Sequence, residues 1–435
     1  MSRYKSEPDN LLRWIVVLGL IGCMTVSGPL WLPRTDLPLF PLLSLPNITA
    51  TSLNLMGLVF LLLGCVGVLW NRFFRVASFL CCLGVVLLIG SDMTRWQPWL
   101  YHFGALFLCM VLQRADTKNR WNVVSWMAAW MLVAVYFWSG WHKIHWHSGA
   151  SSVMLLAAIL PAKWQAVVVE QWGAYVGLVL GIVESLLALG LVFRFTRLLA
   201  TLALTVMHVL IVVSLLVLNH DINVIPWNAA CVAMLWLLFG FQTRSLFGLK
   251  HWMKSSVQNM ALSSIEPSSK FNQSKISFLW VRVLLLAVFF GAIPLMHSWS
   301  VTGPNASFAL YSGNYVFTQL LIPDNVYKGL PASSQSYAKP VLEVPWKSQQ
   351  KSAEVKVSLH MLDMHAWSMK RFRTTVPPSA FYFRRVHQAL CRTFSSRPIL
   401  VVVRGKRVWG KVPQQFQIDD CQHRWSRGSW PASPP

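Results

Sequence analysis

Residues 50–91 read ATSLNLMGLVFLLLGCVGVLWNRFFRVASFLCCLGVVLLIGS. Two apolar runs, 50–70 and 74–91, flank Arg72, and Arg75 is the only other formal charge in the stretch. Each run is long enough to cross a hydrocarbon core as a helix, which takes roughly 17–25 residues. In lipid the backbone must satisfy its own polar groups, and a helix does so within the segment. The stretch therefore predicts a hairpin of two spanning helices whose turn lies in water.

Comparable runs recur at 11–31, 97–113, 121–141, 174–193, 197–218, 224–241 and 277–297. Together they make roughly nine spans. The composition agrees. Of 435 residues 55% are hydrophobic and 12% charged, against about 25% charged in an ordinary soluble chain. Many of the 23 tryptophans sit at run ends, where amphipathic rings settle at the membrane interface. The first run has basic residues before it, as a signal peptide would, but it continues to Trp31 without a small-residue cleavage site. It counts as a span.

Orientation follows the basic residues of the short loops. With the N-terminus inside, the cytoplasmic segments hold Arg3, Lys5, Arg13, Arg72, Arg75, Arg114, Lys118, Arg120, Arg194, Arg197, Arg244, Lys250, Lys254, Lys270 and Lys275. The outer loops hold Arg34, Arg95, Lys143 and Lys163. An odd number of crossings then puts the tail outside. The expected fold is an all-α polytopic membrane helix bundle with a small α+β extracytoplasmic C-terminal domain. Eight spans fall in 1–241, a polar and mobile cytoplasmic linker in 242–276, the ninth span in 277–297 and the basic outer domain in 298–435.

Residues 150–173 are apolar but broken by Pro161 and Lys163, and read as an interfacial or re-entrant helix pair on the outer side. In the tail, VLEVPW (341–346), AEVKVSLHML (353–362) and PILVVVRGKRVWGKV (398–412) read as strands. SAFYFRRVHQALCRTF (379–394) has helical spacing, with Phe381, Val386, Leu390 and Phe394 near one face. Asn47 and Asn305 begin sequons on the outer side of this arrangement.

The formal net charge is +23. Residues 298–435 carry 18 Lys/Arg against 6 Asp/Glu. The charges lie between and after the apolar runs, so nucleic acid is not the expected partner. Anionic membrane lipid, an acidic partner or plain solvation of the tail all suit them. Cys23, Cys65, Cys81, Cys82, Cys109 and Cys231 fall in apolar runs and read as packing residues. Cys391 and Cys421 lie in the outer tail, where an oxidising space would join them as a disulfide.

The densest polar cluster in the bundle ends the fifth run: VYFWSGWHKIHWHSG, residues 135–149. An amine held away from water sheds its proton more easily, which suits Lys143 to general-base work. The bland alternative is snorkelling of Lys143 to the interface. Other embedded polar groups are Glu184, His208 and His102, with Asp92 and Asp221 at outer helix ends. Each alone reads as an interhelical hydrogen-bonder. Glu184 stands out, since a carboxylate near mid-membrane needs a partner or a proton. His142, His145 and His147 are weak ground for a metal site, and no metal is expected.

The 135–149 segment resembles the Tyr-Phe-x-(Ala/Ser)-Gly-x-x-Lys-(Leu/Ile)…Trp segment of the HTTM family, the membrane domain of vitamin K-dependent gamma-carboxylases and their bacterial relatives. ESLLALGLVF (184–193) followed by MHVLIVVSLLVLNHDINVIPW (207–227) is similar to that family's next two helices. FALYSGN (308–314) looks like the start of its extracytoplasmic extension. The resemblance spans roughly residues 10–300 plus the tail. It implies that Lys143 is the base that deprotonates a reduced quinone, with His142 and His145 as relays or orienters. Glu184, His208, His102, Tyr136 and Trp141 would then line the ligand. The carboxylases carry a histidine in the loop after the fourth helix; RADTKNRW (114–121) has none, so the resemblance does not extend to carboxylation itself.

Two classes of function follow. One is a lipid- or quinone-coupled enzyme that modifies an extracytoplasmic protein or peptide. The other is a non-enzymatic assembly or maturation partner that holds another protein through its basic tail. A single four-helix quinone module of the DoxX type has too few spans. A transporter would show paired halves with matching broken helices, and this sequence has none.

Overall fold

The computed structural model describes residues 7–34, 36–42, 49–70, 73–112, 120–144, 149–240, 284–285, 287–297, 308, 316–347, 354–394, 399–404, 416–419 and 426–428. Helices form in all nine apolar stretches: α1 (Glu7–Val26), α2 (Ala50–Leu69), α3 (Phe74–Ser91), α4 (Pro98–Val111), α5 (Arg120–Trp141), α8 (Gly173–Val192), α9 (Arg197–Leu218), α10 (Ile225–Leu235) and α11 (Ile293–His297). π-helical turns extend α10 to Gly240 and precede α11 at Val288–Ala292. Five of the described segments are long and apolar enough to cross a membrane: Ala50–Leu69, Phe74–Ser91, Gly173–Val192, Arg197–Leu218 and Ile222–Gly240. Their outward faces suit lipid: Val66, Phe79, Val179, Leu186, Leu199 and Val217 are each more than half exposed.

Two spans differ from the sequence expectation. α1 ends at Val26 rather than Trp31, and a 3₁₀ turn with Pro29 in its first turn follows. Proline lacks the N–H that would continue the helix and clashes with the preceding turn. α4 has 14 residues, about 21 Å of helix, less than the roughly 30 Å of a hydrocarbon core. Between α5 and α8 lie α6 (Gly149–Ala157) and α7 (Ala162–Gln171), a helix pair broken at Pro161 as expected. The expected linker at 242–276 falls outside the described residues, as do Asn47 and Asn305.

The hairpin of α2 and α3 is a seam of small residues. A Cβ on Gly64 would lie 2.8 Å from the Ala77 carbonyl oxygen, and one on Gly84 would lie 2.8 Å from that of Gly57. Without side chains there, the two backbones approach closely, which is how helices associate where lipid removes the hydrophobic drive.

The C-terminal part is α+β. Its strands are β1 (Val316–Pro323), β2 (Ala338–Lys347), β3 (Glu354–Leu362), β4 (Ile399–Arg404), β5 (Phe416–Asp419) and β6 (Ser426–Gly428). They form one antiparallel sheet in the order β2-β3-β1-β4-β5-β6. Short helices α12 (Asp324–Gly329) and α13 (Ala332–Gln335) follow β1, α14 (Met364–Phe372) follows β3, and α15 (Ala380–Thr393) precedes β4. Strands form in the three expected stretches, the third over 399–404 with 405–412 outside the described residues, and the expected helix is present, while β1, β5, β6, α12, α13 and α14 are additions. Phe381 is not on the buried face of α15: it is 45% exposed, and the buried side runs through Tyr382, Phe383, Val386 and Leu390. Five residues separate Phe381 from Val386, an angular offset of about 140° at 3.6 residues per turn.

This domain seats on three connections of the bundle. From the α1–α2 connection, Asp36 Oδ2 accepts the Trp367 indole N–H at 2.9 Å, and the Asp36 carbonyl accepts from Ser334 Oγ at 2.9 Å. From the α3–α4 connection, Thr94 Oγ1 meets the Tyr382 hydroxyl at 3.3 Å and Gln97 Oε1 accepts from Thr374 Oγ1 at 2.9 Å. From the α9–α10 connection, Asp221 Oδ1 accepts the Thr375 N–H at 2.6 Å. Asp221 has a left-handed backbone, φ 47°, a conformation that aspartate tolerates better than most residues.

Beneath this contact Arg34 Nη1 pairs with Asp92 Oδ2 at 2.9 Å, both side chains almost wholly enclosed. Arg95 is buried nearby; burial pulls its guanidinium down to about 10, against the favourable field of Asp92. It stays charged at neutral pH. Trp367→Phe keeps the ring packing on Phe40 but leaves Asp36 short of a donor. The expected cost is about 1–3 kcal/mol, read as faster proteolytic release of the C-terminal domain. An unchanged release rate would show that this contact does not hold the domain in place.

Candidate functional site

α5 ends in a tightened turn. The Lys143 N–H donates to the Gly140 carbonyl at 2.9 Å and the Ile144 N–H to that of Trp141 at 3.1 Å. These i to i+3 bonds turn Lys143 toward α8. There Gly140 meets Gly181: a Cβ on Gly140 would lie 2.6 Å from the Gly181 carbonyl oxygen and 2.6 Å from the Ser185 nitrogen. Ser185 Oγ donates to the Phe137 carbonyl at 3.2 Å and fixes the crossing. Gly173, Gly177, Gly181 and Ser185 recur every fourth residue along α8 and are buried, the small-residue stripe that close helix contact requires.

The close crossing brings two charges together. Lys143 Nζ lies 2.6 Å from Glu184 Oε2, with side chains 12% and 8% exposed. It also donates to Ser139 Oγ, one turn back on α5, at 3.1 Å. The ammonium is thus neither loose in solvent nor alone in lipid. Ammonium with carboxylate and amine with carboxylic acid hold the same protons and the same net charge, so a proton can pass between Lys143 and Glu184 without leaving a bare charge in the bilayer.

Two helical turns back along α5 from Lys143, the Tyr136 hydroxyl contacts His208 Nε2 at 2.7 Å, and His208 Nδ1 contacts Asn228 Oδ1 at 2.6 Å. These three residues join α5, α9 and α10.

The other expected residues are placed differently. His142 is fully buried and stacks on Trp138, with centroids 5.6 Å apart. Trp138 in turn donates its indole N–H to the Phe290 carbonyl at 2.8 Å, tying α5 to the segment before α11. Trp141 stacks on Phe137. His102 is fully buried on α4, where its Nδ1 accepts the Trp227 indole N–H at 2.9 Å, a separate contact between α4 and α10. His145 and His147 lie outside the described residues. Cys391 is disulfide-bonded; Cys421, its expected partner, also lies outside the described residues.

Ser139, Ser185 and Asn228 were not expected in the site. Ser139 stands four residues before Lys143 on one helix face, a spacing the sequence did show. Nothing in the sequence brings Asn228 to His208.

A cavity of about 310 Å³ lies elsewhere, between α3, α4, the first half of α5 and the segment before α11. Its walls include Val85, Tyr101, Leu108, Met127, Leu285 and Phe289, and are almost wholly apolar. Met127 is 16 residues before Lys143, about 24 Å along the helix. A hydrocarbon chain suits such walls. The donors that an oxygenated ring would need are instead at Lys143 and Ser139. Comparison of the chain with protein-family models, with curated proteins and with solved structures gives no match.

Proposed function

We propose that this chain is an integral membrane enzyme of about nine spans, coupled to a quinone, a hydroquinone or another membrane lipid. Its N-terminus is cytoplasmic and its C-terminal α+β domain extracytoplasmic, where it meets a protein or peptide substrate. Lys143 is the proton-transferring group. The observation that carries the reading is the enclosed Lys143–Glu184 pair at 2.6 Å, lodged where the resemblance to the HTTM family puts the base. The topology has independent support. The connections that hold the C-terminal domain, at Asp36, Thr94 and Asp221, are ones that the basic-residue bias assigns to the outer side.

A hydroquinone would supply acidic O–H groups. Lys143 takes one such proton as its own passes to Glu184, and Ser139 Oγ holds the ammonium in line. The α5–α8 crossing excludes water from behind the pair. A second reading, an assembly or maturation partner that works through its basic tail, is favoured by the same pair seen as a staple between α5 and α8.

Oxygen uptake with a short-chain reduced benzoquinone, in protein-loaded bilayers, separates them. The hydroquinone loses two protons and two electrons to dioxygen, giving quinone and hydrogen peroxide. The wild type is expected to exceed empty bilayers. Lys143→Met with Glu184→Leu, which strands no charge, is expected to lower the rate by about 10²-fold or more, the contribution of a positioned base. A double variant as fast as wild type, or a wild type no faster than lipid alone, ends the enzymatic reading.

A further inference from the structure

Tyr136, His208 and Asn228 form a chain whose direction can be read from its last link. The Asn228 Nδ2–H donates to the Val224 carbonyl at 2.8 Å. Oδ1 is therefore the atom that faces His208 Nδ1 at 2.6 Å. An amide oxygen only accepts, so Nδ1 carries the hydrogen. In a neutral imidazole Nε2 is then bare, and the hydrogen in the 2.7 Å contact with Tyr136 is the tyrosine's own. The order is Tyr136 O–H to Nε2, Nδ1–H to Asn228 Oδ1, and Nδ2–H to backbone. All three side chains are buried. The T-shaped packing of Tyr136 on His208, with centroids 5.5 Å apart, fixes the ring plane.

We infer that these residues are a proton relay whose resting hydrogen bonds run from Tyr136 to His208 and on to Asn228. Tyr136 faces the proton donor, His208 is the base behind it, and Asn228 is a positioning residue that holds the histidine in the required tautomer. With its own hydrogen committed to His208, the Tyr136 oxygen can only accept. A weakly acidic O–H or S–H presented to it gives its proton to that oxygen while the tyrosine's hydrogen moves to Nε2. The products are the donor's conjugate base, neutral tyrosine and an imidazolium; no electrons change hands. The same logic, a base oriented through its second nitrogen by a fixed acceptor, makes histidine effective in hydrolytic triads. Here the group it serves is a phenol.

The relay deepens the proposed function and rests on it in one respect, the identity of the donor. Tyr136 and Lys143 are seven residues apart, two helical turns, on one face of α5 and about 10 Å apart along its axis. Two proton acceptors on one face match a substrate class that releases two protons, as a hydroquinone does when it is oxidised.

The test has one arm free of any substrate. In protein with ¹⁵N-labelled histidine rings in lipid bilayers, the His208 signals are assigned by their loss in His208→Gln. The expected form is neutral with hydrogen on Nδ1, the tautomer that free histidine disfavours. Asn228→Asp, which still accepts at that position, keeps it; Asn228→Leu loses it. A wild-type ring with hydrogen on Nε2, or a ring unchanged in Asn228→Leu, overturns the relay. The second arm is oxygen uptake with the short-chain hydroquinone. Asn228→Leu is expected to lower kcat at least tenfold with KM unchanged, and Asn228→Asp to recover most of it. An equal loss in both variants would mark Asn228 as structural and overturn the relay. A wild type inert toward the hydroquinone, with the tautomer as expected, would remove the proposed function and leave the relay in place.

Discussion

Lys143→Met alone is expected to destabilise the protein by about 3–5 kcal/mol, the usual cost of stranding one member of a buried ion pair. Glu184 is 8% exposed in its side chain and stands amid apolar helix faces, with no bulk water to stabilise its charge. Glu184→Leu alone should cost a similar amount by leaving the ammonium unneutralised. The double variant should recover most of the loss, because two apolar side chains of similar volume often replace a buried pair at little net cost. Unfolding of the four proteins in mixed micelles gives the coupling energy as a double-mutant cycle. Additive losses would show that the two charges do not depend on each other. A stable but inactive double variant would separate the pair's chemistry from its role in packing.

Gly140→Val is expected to cost at least about 3 kcal/mol, beyond the common range for over-packing. The new Cβ would lie 2.6 Å from both the Gly181 carbonyl oxygen and the Ser185 nitrogen. Both are backbone atoms that no rotamer change can move. The helices must separate, and the Lys143–Glu184 contact must open with them. Even Gly140→Ala meets those atoms, so it should show a smaller loss in the same direction. Thermal melting in detergent reads the stability, and the rate of amine labelling at Lys143 reads the opening. A Gly140→Val protein with wild-type melting would mean that α5 and α8 do not cross at this glycine.

Much of the fold was legible because the signals are local. Helix length in lipid follows from counting apolar residues, and the stretches at 50–70, 74–91, 174–193 and 197–218 match α2, α3, α8 and α9 to within a residue or two. Strands β2, β3 and β4 and helix α15 were readable from alternation and helical spacing. β1 was not: VFTQLLIP groups its apolar residues in blocks, as a strand buried on both faces does. α14 has only nine residues, too few for its periodicity to stand out.

The site was legible only in its parts. Lys143, Glu184, His208 and Tyr136 could each be singled out, because a polar group in an apolar run is costly wherever it stands. Which of them touch could not be read. Lys143 and Glu184 are 41 residues apart, and His208 and Asn228 are 20 apart. Their meeting depends on the angle and depth at which whole helices cross. The glycines at 140 and 181 set that angle for one pair, and the α9–α10 turn sets it for the other.

The sequence alone thus determined where the long apolar helices lie, which stretches prefer lipid and which polar side chains are embedded among them. Those are properties of single residues and their near neighbours. Only the tertiary structure decided that Lys143 is neutralised by Glu184, that Asn228 sets the tautomer of His208, and that the C-terminal domain rests on Asp36, Thr94 and Asp221. Such contacts are made between helix faces and between domains, and their geometry is fixed by packing over distances that no local pattern of residues records.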